Sequence, residues 1–294
     1  MKDLQAPVMP KDRATIFFRH FQSYGLREDT FLINRRPQMD ALLGFVGPVP
    51  PRHWRETRKL LKEILHHASN DLAKKSISMF VVPEINSRIP SICVSYPVYS
   101  PWFLAVSNEW RTLDRASALL ATIHGPKVMA NGAEVPPPSS DDGSQFRPLI
   151  SRDGRLALLF TCSDAGSMGN VPKHSIPITS VDTAGAILRL AETAESPRVG
   201  LAHALEEYSG VIAVALIDIE KRIVWLGHTG MEYFLLVRLD TRVMITTHPK
   251  SLLEAFAWTI GAQHVPTGPA NVTHVALRTV IGIEIDTGEI IVPD

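Results

Sequence analysis

Cysteine is scarce in this chain, and its scarcity excludes two architectures at once. Cys93 and Cys162 are the two cysteines among 294 residues, too few for a disulfide scaffold and without the CxxC spacing of a zinc site. Long apolar runs are missing as well. The N-terminal "MKDLQAPVMPKDRATIFF" places charges and prolines where a secretory signal needs an uninterrupted apolar stretch, and no later run reaches the roughly 18 apolar residues of a membrane span. The expectation is a cytoplasmic protein that does not enter a membrane.

Signature motifs are equally thin. There is no GxxxxGK[ST] phosphate loop and no GxGxxG fingerprint, so standard binding of ATP or NAD is not expected and no cofactor is assigned. No histidine pair has HxxxH spacing. His228, His248, His264 and His274 therefore predict no metal site, with His228 expected in a polar hairpin turn and His248 expected to cap a helix at Pro249. Helix-turn-helix, zinc-finger and RRM signatures are absent.

What is present is the composition of a folded globular protein, 45% hydrophobic and 20% charged, which excludes disorder of the whole chain. Net charge is zero but unevenly spread. Residues 1–75 carry 14 Lys and Arg against 8 Asp and Glu, and the remainder 16 against 22, giving +6 and −6. Such halves attract each other or, in the first half, an anionic partner.

The clearest break is "EVPPPSSDDGSQ", where prolines impose extended backbone and the polar residues after them have little to bury. We read residues 134–149 as a linker between an N-terminal part, 1–133, and a C-terminal part, 150–294. Each is expected to be an α+β domain, a small mainly antiparallel sheet with packed helices. In the first part, helices are expected over 12–25, over about 51–75, and over about 109–123 with a stop at Gly125. Extended runs are expected in "SISMFVV", "SICVSYP" and "WFLAVS".

In the second part, Asp153-Gly154 marks a hairpin turn before the strand "RLALLFTC". Helices are expected from Ser180, from Pro197 to near Gly210, and from Pro249 to about Ile260. Four strand-like runs lie between Val211 and His248, and a final hairpin turns at Asp286-Thr287-Gly288. The helix, strands, helix order from Arg198 to Ile260 resembles the layout of profilin, roadblock and GAF domains. "RDGRLALLFTCSDAG" followed by a helix is similar to the opening of SseB-type bacterial domains. Neither resemblance carries a diagnostic residue, so neither transfers a site.

Three groups invite chemistry. The strand exit "LLFTCSDAGSMGN" offers Cys162 or Ser163 as a nucleophile with His174 as a base, although it matches neither GxSxG nor a cysteine-protease signature. Position 162 is expected to face the core, by alternation with Leu158 and Phe160. Asp218 and Glu220, with Glu232, are mixed turn charges expected to be solvated. The helix over 51–75 carries Arg52, Arg55, Arg58, Lys59 and Lys62, a cationic face suited to an acidic protein, the second domain or a nucleic acid. With chemistry so weakly signalled, the expected function is a non-enzymatic interaction or regulatory protein. It would bind a protein partner or self-assemble through exposed strands such as "YFLLVRL" and "RVMITT". The competing readings are an enzyme using the Cys162-Ser163 loop and a nucleic-acid-associated protein using the basic helix.

Overall fold

Strands dominate the fold because β-branched and large apolar residues come in short runs punctuated by turn residues. The computed structural model describes residues 40–49, 53–71, 76–86, 92–97, 116–124, 148–163, 181–208, 211–230, 234–249, 251–252, 255 and 272–292. In chain order these form β1 (Asp40–Val46), α1 (Trp54–Asp71), β2 (Ser76–Pro83), β3 (Ile92–Pro97), β4 (Ala116–His124), β5 (Leu149–Ile150) and β6 (Leu156–Ser163). Then come α2 (Val181–Thr193), α3 (Pro197–Glu207), β7 (Val211–Asp218), β8 (Ile223–His228), β9 (Leu235–Leu239) and β10 (Arg242–Thr246). β11 (Val272–His274), β12 (Ile281–Glu284) and β13 (Ile290–Ile291) complete the series.

The strands make two sheets, both antiparallel: seven strands in the order β11-β9-β10-β1-β4-β2-β3, and six in the order β13-β12-β8-β7-β6-β5. Their inner faces share one core, with Leu42, Val46, Phe80 and Leu120 of the first sheet meeting Leu159, Ala215, Ile217 and Leu226 of the second. On the outer face of the first sheet, Leu60, Leu61, Ile64, Leu65 and Ala68 of α1 cover Leu43, Phe45 and Met79. On the outer face of the second, Ile187 and Leu188 of α2 with Leu201 and Leu205 of α3 cover Leu158, Val214 and Leu216. Helix, sheet, sheet and helix thus stack as four layers, each sheet buried on both faces.

That double burial explains a helix that the sequence predicts and the structure replaces. Within the expected helix over 109–123, Ala116–His124 is a strand, β4, held between β1 and β2. Alanine and leucine favour helices in isolation. Here Ala116, Ala118, Leu119, Leu120, Ala121 and Ile123 are all buried, and each large side chain removed from water contributes about 1.5–3 kcal/mol, which outweighs propensity. β1, to which no element was assigned, pairs on its other edge with β10.

The chain division expected at 134–149 does not coincide with the division between sheets. β9, β10 and β11 lie beyond that segment yet pair into the sheet of β1–β4, while residues 134–147 lie outside the described residues. The four runs after Val211 likewise split: β7 and β8 pair in one sheet, β9 and β10 in the other, unlike the single-sheet layout they resembled. Leu235, Leu236, Val237, Val243, Met244 and Ile245 are buried, so β9 and β10 are interior strands and not the exposed ones the interaction reading needs. Residues 12–25 and 102–107 lie outside the described residues.

Other expectations correspond to the structure. Ser196 accepts a hydrogen bond from Val199 N and Pro197 opens α3, β5 and β6 form the hairpin at Asp153-Gly154, and β12 and β13 that at Asp286–Gly288. At the opposite corner His248 Nδ1 accepts from Ser251 N at 3.3 Å and Ser251 Oγ donates to His248 O at 2.8 Å, the capping arrangement expected before Pro249.

Candidate ligand site at one end of the inter-sheet layer

The two ends of the sandwich differ in how they are closed. At one end the β7–β8 turn is pinned to the first sheet: Arg222 Nη2 donates to Pro83 O at 3.0 Å, and the Arg222 guanidinium engages both carboxylate oxygens of Asp286. Gly47 and Gly288 meet there as well, since a Cβ on Gly47 would lie 2.2 Å from Thr241 O and 3.1 Å from Gly288 Cα. With φ of +117° and +72°, these positions suit glycine alone.

At the far end, where β6 and β8 finish and β1, β2, β7 and β9 begin, the two sheets are joined instead through His228, whose Nε2 lies 2.8 Å from Val275 O just beyond β11. Here the inner faces turn from apolar to polar. On the second sheet the register aligns Thr161, Ala213 and His228 in one row. Ala213 belongs to the inter-sheet core, and residues directly opposite one another on neighbouring strands project to one side. Thr161 and His228 therefore face inward too. Across β7, at about 4.8 Å per strand, they stand roughly 10 Å apart with only a methyl between them. On the first sheet, Ser78, Thr122 and Leu42 form the corresponding row, with Ser78 and Thr122 buried.

The row's two polar side chains are incompletely satisfied. His228 is 4% exposed and Thr161 fully buried, yet His228 Nδ1 and Thr161 Oγ1 have no hydrogen-bond partner among the described residues. A buried polar atom left unpaired costs about 1–3 kcal/mol, so each such atom requires a physical reason. His228 Nε2 lies 2.8 Å from Val275 O. A carbonyl only accepts, so Nε2 carries the proton. Burial holds the imidazole below its ordinary pKa, partly offset by the bond to Val275; the ring is neutral at pH 7 and Nδ1 presents a lone pair. Phe234 meets the ring edge-on at 5.9 Å between centroids and completes its support.

This placement corrects the expectation of a polar turn for His228. The inward positions of β8 run Val224, Leu226, His228, and the histidine simply ends that series. The alternation was the available signal, and the glycine after Leu226 obscured it. Thr161 had the equivalent signal in Ala157 and Leu159.

The other sequence candidates are distributed as follows. Cys162 and Ser163 occupy the last two positions of β6, in register with Ile212 and Val211, at this same end; their side chains, like His174, Lys173, Glu232, His264 and Arg52, lie outside the described residues. Ile212 is packed beneath the α2–α3 layer. On α1, Arg55 and Lys59 are exposed and Arg58 and Lys62 half-buried. Asp218, expected in solvent, is fully buried, its Oδ1 accepting from Lys221 N at 2.9 Å, whereas Glu220 sits exposed in the turn; the strand ends at Asp218, so the two do not share a face. Among the described residues no three His, Cys, Asp or Glu side chains converge as a metal would need, and no helix is long and apolar enough to cross a membrane.

No protein-family model matches the chain and no curated protein sequence is significantly similar to it. Solved structures do resemble it. One is the glutamine phosphoribosylpyrophosphate amidotransferase from B. subtilis complexed with ADP and GMP, at TM-score 0.50 and 10% identity over 85% of this chain and 48% of that one. Another, described as the allosteric regulatory enzyme of purine biosynthesis, matches at TM-score 0.50 and 10% identity over 83% and 47%. This chain spans about half the length of each, and at this identity the similarity is one of fold.

Proposed function

We propose that this protein binds a small polar molecule at the polar end of its inter-sheet layer, with His228 as hydrogen-bond acceptor and Thr161 as donor or acceptor. The observation that carries the reading is the pair of buried atoms, Nδ1 and Oγ1, left without partners on one row. A molecule with a carboxamide at one end and a carboxylate at the other suits them: the amide N–H answers the histidine lone pair, the carboxylate accepts from the hydroxyl, and an amino-acid-sized chain between the two bridges roughly 10 Å. The name of one structure of similar fold includes glutamine, which makes L-glutamine the first probe. Glutamine should raise the melting temperature, by an amount equivalent to about 2.7 kcal/mol at a hundredfold excess over Kd. His228→Phe should abolish that shift. Retention of the shift in His228→Phe, or no shift with any of a panel of small amides, would defeat the proposal.

A second reading is favoured by one observation, that β6 delivers Cys162 and Ser163 to this same end directly after Thr161. On that reading the chain is an enzyme in which one of them attacks the carboxamide carbonyl, its proton passes to the amide nitrogen, the C–N bond breaks with ammonia leaving, and water then hydrolyses the acyl-enzyme. Protection of Cys162 from iodoacetamide by glutamine would support it, and a thiol that reacts only after unfolding would count against it. The protein-partner reading no longer has β9 and β10 as exposed strands, and the nucleic-acid reading keeps the α1 face alone.

A further inference from the structure

At the pinned end, on the outer side of the first sheet, a second set of unpaired polar groups lies beneath the start of α1. Arg242 opens β10 and is 4% exposed. The residues of β10 alternate, with Val243 and Ile245 in the inter-sheet core and Met244 under α1, so Arg242 shares the α1 side. Its Nε and Nη1 have no hydrogen-bond partner among the described residues, and neither does Oγ1 of fully buried Thr57 in the first turn of α1. The helix start is fastened over Arg242 by His53, whose Nδ1 lies 3.3 Å from Glu56 and whose Nε2 lies 3.9 Å from Asp240 in the β9–β10 turn. Glu56 and Asp240 act on Arg242 electrostatically, but neither forms an ion pair with it.

We propose that Arg242, Thr57 and the first turn of α1 form a binding site for the phosphoryl group of a small molecule. Three features suit an oxyanion: a desolvated guanidinium with unused donors, an unpaired buried hydroxyl on the sheet-facing side of α1, and the positive end of that 18-residue helix. The charged groups acting on Arg242 are Glu56 and Asp240, both acidic, and a bound anion competes with them for the guanidinium. A phosphoryl group, with three free oxygens, can engage the guanidinium, the hydroxyl and the helix amides together, which a carboxylate with two oxygens cannot. The depth of Arg242 favours a small molecule over a nucleic-acid duplex, whose phosphates are fixed on a broad surface and cannot reach a side chain 4% exposed. This site is at the opposite end of the sandwich from the His228 row and stands or falls independently of it.

The test is calorimetric titration of the full chain at fixed ionic strength with inorganic phosphate, AMP, acetate and a DNA duplex. Phosphate and AMP should each bind saturably at one site. Arg242→Met should weaken both roughly ten- to hundredfold, the loss of charge-assisted hydrogen bonds, and Glu56→Gln should tighten both by removing a competing negative charge. Tightening is a gain that a folding defect does not produce, so Glu56→Gln decides the matter if Arg242→Met does not fold. AMP binding more tightly than phosphate assigns the site to a phosphate ester, the reverse to free phosphate. No saturable binding, acetate as tight as phosphate, the duplex tighter than AMP, folded Arg242→Met binding unchanged, or Glu56→Gln failing to tighten would each overturn the proposal.

Discussion

Arg222 is one of the side chains that join the two sheets, and truncating it should have a cost that can be divided into parts. Its guanidinium makes bonds of 2.9, 2.7 and 2.6 Å to Asp286 and one of 3.0 Å to Pro83 O, across the sandwich. The two side chains are 18% and 31% exposed. Hydrogen bonds to charged groups contribute about 1.5–3 kcal/mol each when well buried. Solvent weakens this pair, and the carboxylate left behind is rehydrated, so Arg222→Ala should cost about 2 kcal/mol in all. The backbone at Arg222 has φ of +55°, a left-handed conformation that costs a non-glycine residue about 1 kcal/mol. Arg222→Gly should therefore be about 1 kcal/mol less damaging than Arg222→Ala. The bond from Ile285 N to Arg222 O persists in both. Urea denaturation of both variants, of Asp286→Ala and of Arg222→Ala/Asp286→Ala gives the numbers. A coupling energy of about 1 kcal/mol is expected between Arg222 and Asp286. Coupling within the error of additivity, about 0.3–0.5 kcal/mol, or glycine no better than alanine, would refute the geometry.

Further outcomes follow from other positions. Gly200→Ala should destabilise by more than about 2 kcal/mol, because a Cβ there would lie 2.4 Å from Leu190 O where α2 and α3 cross. Gly185→Ala, in a helix where the nearest atom is Arg189 Nη1 at 3.7 Å, should stabilise by about 0.5–1 kcal/mol; thermal denaturation separates the two signs. Leu120→Ala should cost about 3–5 kcal/mol in chemical denaturation, since Leu120 is fully buried between the sheets. Burial holds His228 and His274 below the ordinary histidine pKa, so the unfolded chain binds the extra protons first. Their contribution to stability is complete above about pH 6.5 and is lost as pH falls below it. Each histidine adds at most about 1.4 kcal/mol per pH unit, and His228→Gln should flatten the wild-type stability profile below pH 6.5 by up to that slope.

Local signals in the sequence recovered local structure. α3 was legible from Ser196 and Pro197, α2 from the spacing of Ala184, Ile187, Leu188 and Ala191, and the hairpins from their Gly-containing turns, because each of those cues acts within a few residues. β1 and β4 were not. Both are buried on two faces, so the alternation that marks a strand is absent, and the alanines and leucines of β4 imitate a helix. The partition of strands between sheets was also hidden. β8 and β9 are separated by six residues, a spacing common between hairpin partners, yet pair in different sheets because Phe234 and Val275 of that corner pack into the shared core. The site was the least legible part: Thr161 and His228 are distant in the chain, and the register of β6, β7 and β8 alone aligns them.

The central claim, that His228 holds an unused lone pair at a ligand site, can be read by nitrogen NMR of the imidazole. In free protein at pH 7 the account predicts a neutral ring protonated on Nε2, with Nδ1 bare, and a change at Nδ1 on adding L-glutamine while Nε2 stays bonded to Val275. A ring protonated at pH 7, a proton on Nδ1, or an Nδ1 signal indifferent to every small amide would contradict it.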